Sequence, residues 1–553
     1  MKKVFLALCL TAALVTPGCI KVDNSLGKGL VDKSLLFDTY TAEFPLEEIQ
    51  LKPSEALSGY SDTRITLGAI RDPYFGLCTR EAAFNLIPAA DTLDFGTDPK
   101  AVSFVLNFAQ DTVSCADDSQ AHIFQNIYVT ELTKRLPEAD EDTRNTQEIP
   151  HGEEIITNGL ISYNGSGSLT FNFSQAFAQK YMEAIISTGP IFIDRDDDDD
   201  DNGKYDEFLE KMPGIHLRTD VPEGDGGRIN MFNFSCLTVS SNYYVRNNNV
   251  GQLTINSTWN GVRKDSTFLV VPGEPELIDE SGYLEDNTKF YQYCFNRTTQ
   301  STTPGPLQDQ LIVEGGGGLK PVILARELQE KTREAILAQG GNPDKAVIVK
   351  ATIVLPFEMP ENYEELKYYP SILSPTIQST YENDEGEKRP TFAGLTDASV
   401  SSEDQGDIDR SNLVYKPDIT YHLQELLTRE DLDSANDADI WLLTIHTEKV
   451  ANANGSLYDN EYYQNLMYAS YYNSIYGGGY GYGGYGGYGG YGGYGYNNYY
   501  NYMMLAQMMS ASTQQTYSYN TELDKDRYYR AILCGYNSER APMFRVTFAI
   551  PQD

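Results

Sequence analysis

Apolar and polar residues alternate with a period of two along much of this chain. Val102, Phe104, Leu106 and Phe108 fall on one face of a predicted strand. Leu169, Phe171 and Phe173 alternate with Ser168, Thr170 and Asn172. Leu253, Ile255 and Trp259 follow the same rule, as do Val347, Val349, Ala351, Ile353 and Leu355. The last such run is Phe544, Val546, Phe548 and Ile550. Strands with one apolar face belong to antiparallel sheets packed face to face. Turn-rich spacers between them favour sandwiches or jelly rolls over α/β folds. The pattern therefore predicts an all-β fold with a few short helices.

Three segments break the alternation with helical spacing. Residues 174–187 place Phe177, Tyr181 and Ile185 on one stripe behind a Ser174 N-cap. Residues 323–338 carry Leu324, Leu328 and Ile336 and stop at Gly340-Gly341. Residues 420–429 carry Leu423, Leu426 and Leu427. The two halves rhyme in the order of their elements. A strand and helix over 168–187 lead to Gly214-Ile215-His216-Leu217, and 418–429 lead to Ile440-Trp441-Leu442-Leu443. This predicts two antiparallel β-sandwich or jelly-roll-like domains, residues 37–280 and 281–553. The first contains an acidic loop at 194–207. The second contains an insert at about 453–522, whose Gly/Tyr repeat lacks any periodic apolar face and is expected to be disordered.

The N-terminus changes the picture. Lys2 and Lys3 precede an apolar run from Val4 to Val15, then Pro17-Gly18-Cys19. The run is too short to span a bilayer, which takes about 20 apolar residues. It reads as a cleaved signal peptide, residues 1–18, with the Cys19 thiol taking a diacylglycerol and residues 19–36 forming a lipidated tether. Each buried methylene of the acyl chains contributes about 0.8 kcal/mol, and two or three chains hold where one does not. The formal charge is −37, and −39 once Lys2 and Lys3 leave with the signal. Such a chain is repelled by nucleic acid, which is excluded as a partner.

Seven cysteines are present. With Cys9 in the signal and Cys19 lipidated, Cys78, Cys115, Cys236, Cys294 and Cys534 are left at wide, irregular spacing. One or two disulfides or a set of buried thiols both fit this pattern. The best metal candidate is calcium in the acidic loop. Asp198, Asp200, Asn202 and Asp206 fall at positions one, three, five and nine of an EF-hand-like loop, with Gly203 at six. Leu209 stands where the twelfth-position acid belongs, so a solvated acidic loop is the competing reading. The five histidines show no metal-type pairing at short spacing, and His216 and His446 lie in or beside apolar strands. No Gly-x-Ser-x-Gly, His-Glu-x-x-His or P-loop motif occurs; after Gly315 to Gly318 and Lys320, Pro321 replaces the P-loop Ser/Thr. These glycines point instead to a bulge or to tight packing. No catalytic residue, and no cofactor other than the candidate calcium, is assigned.

The chain resembles the Bacteroidota lipoprotein family grouped as domain of unknown function 4270. The resemblance rests on Leu67-Gly68-Ala69-Ile70-Arg71-Asp72-Pro73-Tyr74-Phe75-Gly76, the strand 101–109 and Ile127-Tyr128-Val129-Thr130-Glu131-Leu132. It continues in 311–323 and in the ending from Tyr528-Tyr529-Arg530-Ala531 through Ser538-Glu539-Arg540. It implies a lipid-anchored envelope protein and supplies neither a ligand nor catalytic residues. The strand–helix–strand order is also loosely similar to jelly-roll carbohydrate-binding modules. The acidic run and the Gly/Tyr repeat depart from the family pattern. The expectation is a non-catalytic outer-membrane lipoprotein that binds glycan or a protein partner at the envelope. The alternatives are an assembly component of an envelope complex and, behind both, a glycoside hydrolase. Ile20-Lys21-Val22-Asp23-Asn24 offers one acid after the cysteine, which leaves the periplasmic and the surface face both open. Mass spectrometry of the native protein is expected to find a diacylated N-terminal peptide beginning at Cys19; an unmodified start elsewhere overturns the anchor.

Overall fold

The computed structural model describes residues 36–552 apart from 55–56, 62–63, 90–92, 116, 138–142, 190, 192–203, 234–238, 241–242, 245–250, 276–289, 292–293, 301–308, 383–387, 398–405, 431, 433–437 and 452–516. Cys19 and the tether up to residue 35, Asp198, Asp200, Asn202, Cys236 and the Gly/Tyr repeat lie outside the described residues. The fold is all-β with a few short helices, and every described strand pair is antiparallel.

Two sheets enclose the first core. A ten-stranded sheet is built around Arg64–Asp72, Gly76–Phe84, Gln125–Leu132, Ile215–Thr219 and Gly226–Asn233. A five-stranded sheet runs in the order Leu169–Asn172, Thr97–Phe108, Gly251–Trp259, Val262–Pro272, Leu86–Pro88. Phe84 of one sheet meets Phe108 of the other edge to face at 5.5 Å. The helix Gln175–Thr188 adds Phe177, Tyr181 and Ile185 to this core, and Ser174 caps it by accepting from Phe177 N–H at 3.2 Å. All three features follow the predicted pattern.

The second core lies between two further sheets. One orders Phe37–Pro45, Met543–Pro551, Val347–Pro356, Val414–Tyr415 and Ile408–Asp409; the other orders Gln50–Pro53, Leu319–Ile323, Ile440–Ala451, Ile372–Glu382 and Lys388–Gly394. The helices Ala325–Ala338 and Thr420–Thr428 pack on it through Leu328, Ile336, Leu423 and Leu427. Leu324 precedes the first of these helices rather than lying within it. Its end is a Schellman motif: Gly341 N–H reaches Ile336 O at 3.1 Å and Gly340 N–H reaches Leu337 O at 2.9 Å, with Gly340 at φ +80°.

Strand pairing crosses the predicted division near residue 280 in both directions. The 37–45 strand pairs with 543–551 from Phe37↔Pro551 to Pro45↔Met543, and 50–53 pairs with 319–323. The strand Cys294–Gln300 pairs back with 76–84 in the ten-stranded sheet. Local periodicity carries no information about such distant partners.

Two predicted strand faces are corrected by β-bulges. Thr254 pairs with Ser103 and Ile255 with Ala101, so Val102 is skipped; it stands 48% exposed while Ala101 takes the inward place. In the 347–356 strand, Ile348 pairs with Phe548 but Lys350 with Thr547. Val347 and Val349 therefore face water and Ile348 faces the core, with regular alternation resuming at Ala351. A third shift, between Asn256 and Thr258, leaves Trp259 half-buried. In urea denaturation Ile348→Ala is expected to cost about 2–5 kcal/mol. Val349→Ala is expected to stay within about 0.5 kcal/mol. The opposite order would restore the unbroken alternation.

Candidate functional site

Of the proposed calcium ligands, Asp206 alone lies among the described residues. Asp206 lies in the first turn of the helix Lys204–Lys211, where its Oδ1 accepts from Arg135 Nη1 at 2.8 Å. Leu209, at the twelfth loop position, is buried in the first core. Packing explains why an apolar residue stands there. Among the described residues no three His, Cys, Asp or Glu side chains are grouped as a metal set. Cys78, Cys115, Cys294 and Cys534 are buried free thiols. His216 is fully buried, with Nε2 3.3 Å from Glu81 Oε2 and its ring stacked on His151 at 4.1 Å. Burial holds its pKa below the usual imidazole value against the pull of Glu81.

The first candidate is a surface patch at one end of the ten-stranded sheet. Neighbouring strands 125–132 and 215–219 place Arg218 opposite Tyr128. The guanidinium lies 4.2 Å above the tyrosine ring. Tyr128 Oη donates to Asp220 Oδ1 at 2.6 Å, and Asn126 Nδ2 donates to Asp220 Oδ2 at 2.7 Å. The bond to Asp220 raises the tyrosine hydroxyl above its ordinary pKa. Phe124, 72% exposed, and the exposed Val221 flank the group in sequence. An aromatic ring, a guanidinium, a carboxylate and an amide thus share one solvated surface. That set can hydrogen-bond hydroxyls or peptide groups while offering apolar area beside them. Sequence alternation assigned no binding role to these residues.

The second candidate is the joint between the two halves. Its centre is the turn Gly315–Gly318 between Gln310–Glu314 and 319–323. A Cβ on Gly315 would strike the Arg527 backbone, and one on Gly318 would stand 2.6 Å from Glu314 Cβ. Gly316, at φ +56°, lies against the Arg80 guanidinium. Tight packing, one of the two expectations for these glycines, is what the structure contains. Lys320 Nζ donates to Gly316 O at 3.1 Å and Gly318 O at 3.2 Å, and Glu314 Oε2 accepts from Leu319 N–H at 2.9 Å. Arg80, Glu314 and Lys320 are all essentially buried. Burial pushes the lysine down to about 7; Glu314 and Asp524 oppose that shift and Arg80 adds to it.

A second charged segment closes the joint. Asp524 Oδ2 accepts from Tyr529 Oη at 2.6 Å and from Arg527 Nη1 at 3.2 Å. Asp526 accepts from Ser61 Oγ at 2.9 Å and from Asn296 Nδ2 at 3.2 Å, both of the first half. Lys525 donates to Tyr60 O, and Arg530 pairs with Asp72 while its guanidinium lies 4.7 Å from the Tyr368 ring. Ile70, Cys78, Ile229, Tyr368 and Tyr528 form the apolar part of the contact. The sequence pattern assigned no role to Asp524-Lys525-Asp526-Arg527. The adjoining Tyr528-Tyr529 pair and the distant run of four glycines were the available signals of burial.

No family model matches this chain, no curated protein matches it, and no solved structure matches it.

The lowered lysine pKa has a defined consequence for stability. Between about pH 7 and the ordinary lysine value near 10.4, the unfolded chain holds a proton that folded Lys320 has released. Stability contributed by this group therefore rises with pH. Urea titrations from pH 7 to 8.5 are expected to give a more positive slope for the parent than for Lys320→Met. The difference should approach, at most, about 1.4 kcal/mol per pH unit. Parallel slopes would mean that the lysine stays charged in the fold.

Proposed function

We propose that this chain is a non-catalytic, lipid-anchored outer-membrane protein that binds a glycan or a protein partner at the cell envelope. The location rests on Lys2-Lys3, the short apolar run Val4 to Val15 and Cys19 directly after Gly18. The same reading puts the chain with the Bacteroidota lipoproteins it resembles. Binding rests on one observation, the Tyr128–Arg218–Asp220–Asn126 patch, where polar side chains and an aromatic ring are held on two paired strands. Strand-borne groups keep their geometry without a ligand, which limits the ordering cost of recognition. The joint between the halves supports assembly as the second reading. A body braced by buried hydrogen bonds suits a fixed component of an envelope complex.

The chain from residue 20 onward, screened against cell-wall and host glycans, is expected to bind at least one class. Asp220→Ala and Arg218→Ala should each weaken that binding roughly tenfold or more, the loss of one charge-assisted contact. A blank screen removes the glycan reading. Pull-down from solubilised membranes then decides between a stoichiometric protein partner and none.

A further inference from the structure

The joint contains hydrogen-bond donors that the protein itself leaves unspent. Arg80, 1% exposed, uses Nη1 on Thr298 Oγ1 and also faces the buried Cys78 thiol, while its Nε and Nη2 have no partner at hydrogen-bond geometry. Asn145, 2% exposed, has neither Nδ2 nor Oδ1 bonded. The buried N–H groups of Gly316 and Gly317 also find no acceptor among the described residues. These groups converge on the same turn. The Arg80 guanidinium sits where a Cβ on Gly316 would be, and Asn145 Oδ1 and Nδ2 lie 3.0 and 3.5 Å from the corresponding point on Gly317. Thr298 ties them together, accepting from Arg80 and donating its N–H to Asn145 O at 2.6 Å.

The balance of donors and acceptors selects the ligand. Arg80, Asn145 and the two glycines offer several N–H groups, against a single unbonded acceptor, Asn145 Oδ1. A water molecule brings two protons of its own that need acceptors; an anion brings only lone pairs. Consecutive glycine N–H groups beside a left-handed residue form the concave arrangement that suits anions. The nearby carboxylates are engaged elsewhere. Glu314 accepts from Leu319 N–H and favours the charged form of Lys320, and Asp524 is held by Arg527 and Tyr529. Close contact of the turn with Arg527, Arg80 and Glu314 favours a monatomic ion over phosphate or sulfate. We propose that Arg80, Asn145 and the Gly316–Gly317 amides form a buried site for one halide-sized anion. The bound ion bridges a strand of the first half and a turn of the second.

The test is thermal unfolding of the chain from residue 20 onward in chloride and in gluconate at equal ionic strength. Chloride is expected to raise Tm saturably by about 2 °C or more, as a ligand specific to the folded state does. Asn145→Leu, which keeps the branched shape and removes the amide, should abolish the difference, and so should Arg80→Met if it folds. Crystals grown with bromide should show an anomalous peak beside Gly316 and Gly317. Equal Tm in both salts overturns the proposal, and a bromide peak without a chloride-dependent Tm marks an adventitious ion only. A chloride effect that survives in Asn145→Leu places the ion elsewhere and also overturns it.

Discussion

Seven ionisable side chains leave water together where the halves of this protein meet: Asp72, Arg80, Glu314, Lys320, Asp524, Lys525 and Asp526. Desolvating ions is costly, so the contact exists only because charges and carbonyls from both halves arrive in matching positions. The four glycines are what let backbone and guanidinium approach closely enough. A shifted docking would bury unpaired charge at about 3–5 kcal/mol for each broken partnership. An apolar interface of the same area tolerates sliding far better. The charged joint therefore fixes one relative placement of the two cores.

Legibility in the sequence followed the range of the forces involved. Strands 169–172 and 543–551 and all three predicted helices were readable because burial of one face repeats locally. Val102, Val347 and Val349 were misplaced because a bulge costs only one residue and has no apolar signature. The burial of the Asp524–Arg527 run left no mark in the sequence for a different reason. Its partners Ser61, Tyr60 and Asn296 lie hundreds of residues upstream, and charge is ordinarily a surface property. The Asp220 patch was invisible for the same cause: it is assembled across two strands that pair at long range.

On the proposed reading, anchor and binding surface belong to different halves. The tether leads into the 37–45 strand of the second core, whereas Tyr128, Arg218 and Asp220 project from the ten-stranded sheet of the first. A loose connection between them would let the surface tumble relative to the membrane. The braced joint instead makes the orientation of one half a property of the other.

Among the described residues the 37–45 strand has one sheet neighbour, 543–551. Thr41 and Thr547, 506 positions apart, touch through their hydroxyls at 3.0 Å. Contacts of such separation form late, because the intervening loop must be closed first. The 37–45 strand thus waits, β-prone and without this neighbour, until the chain between the two has been made. Its alternating Thr39, Thr41 and Glu43 keep one side of the strand polar through that interval, which guards an unpaired edge against pairing with other chains.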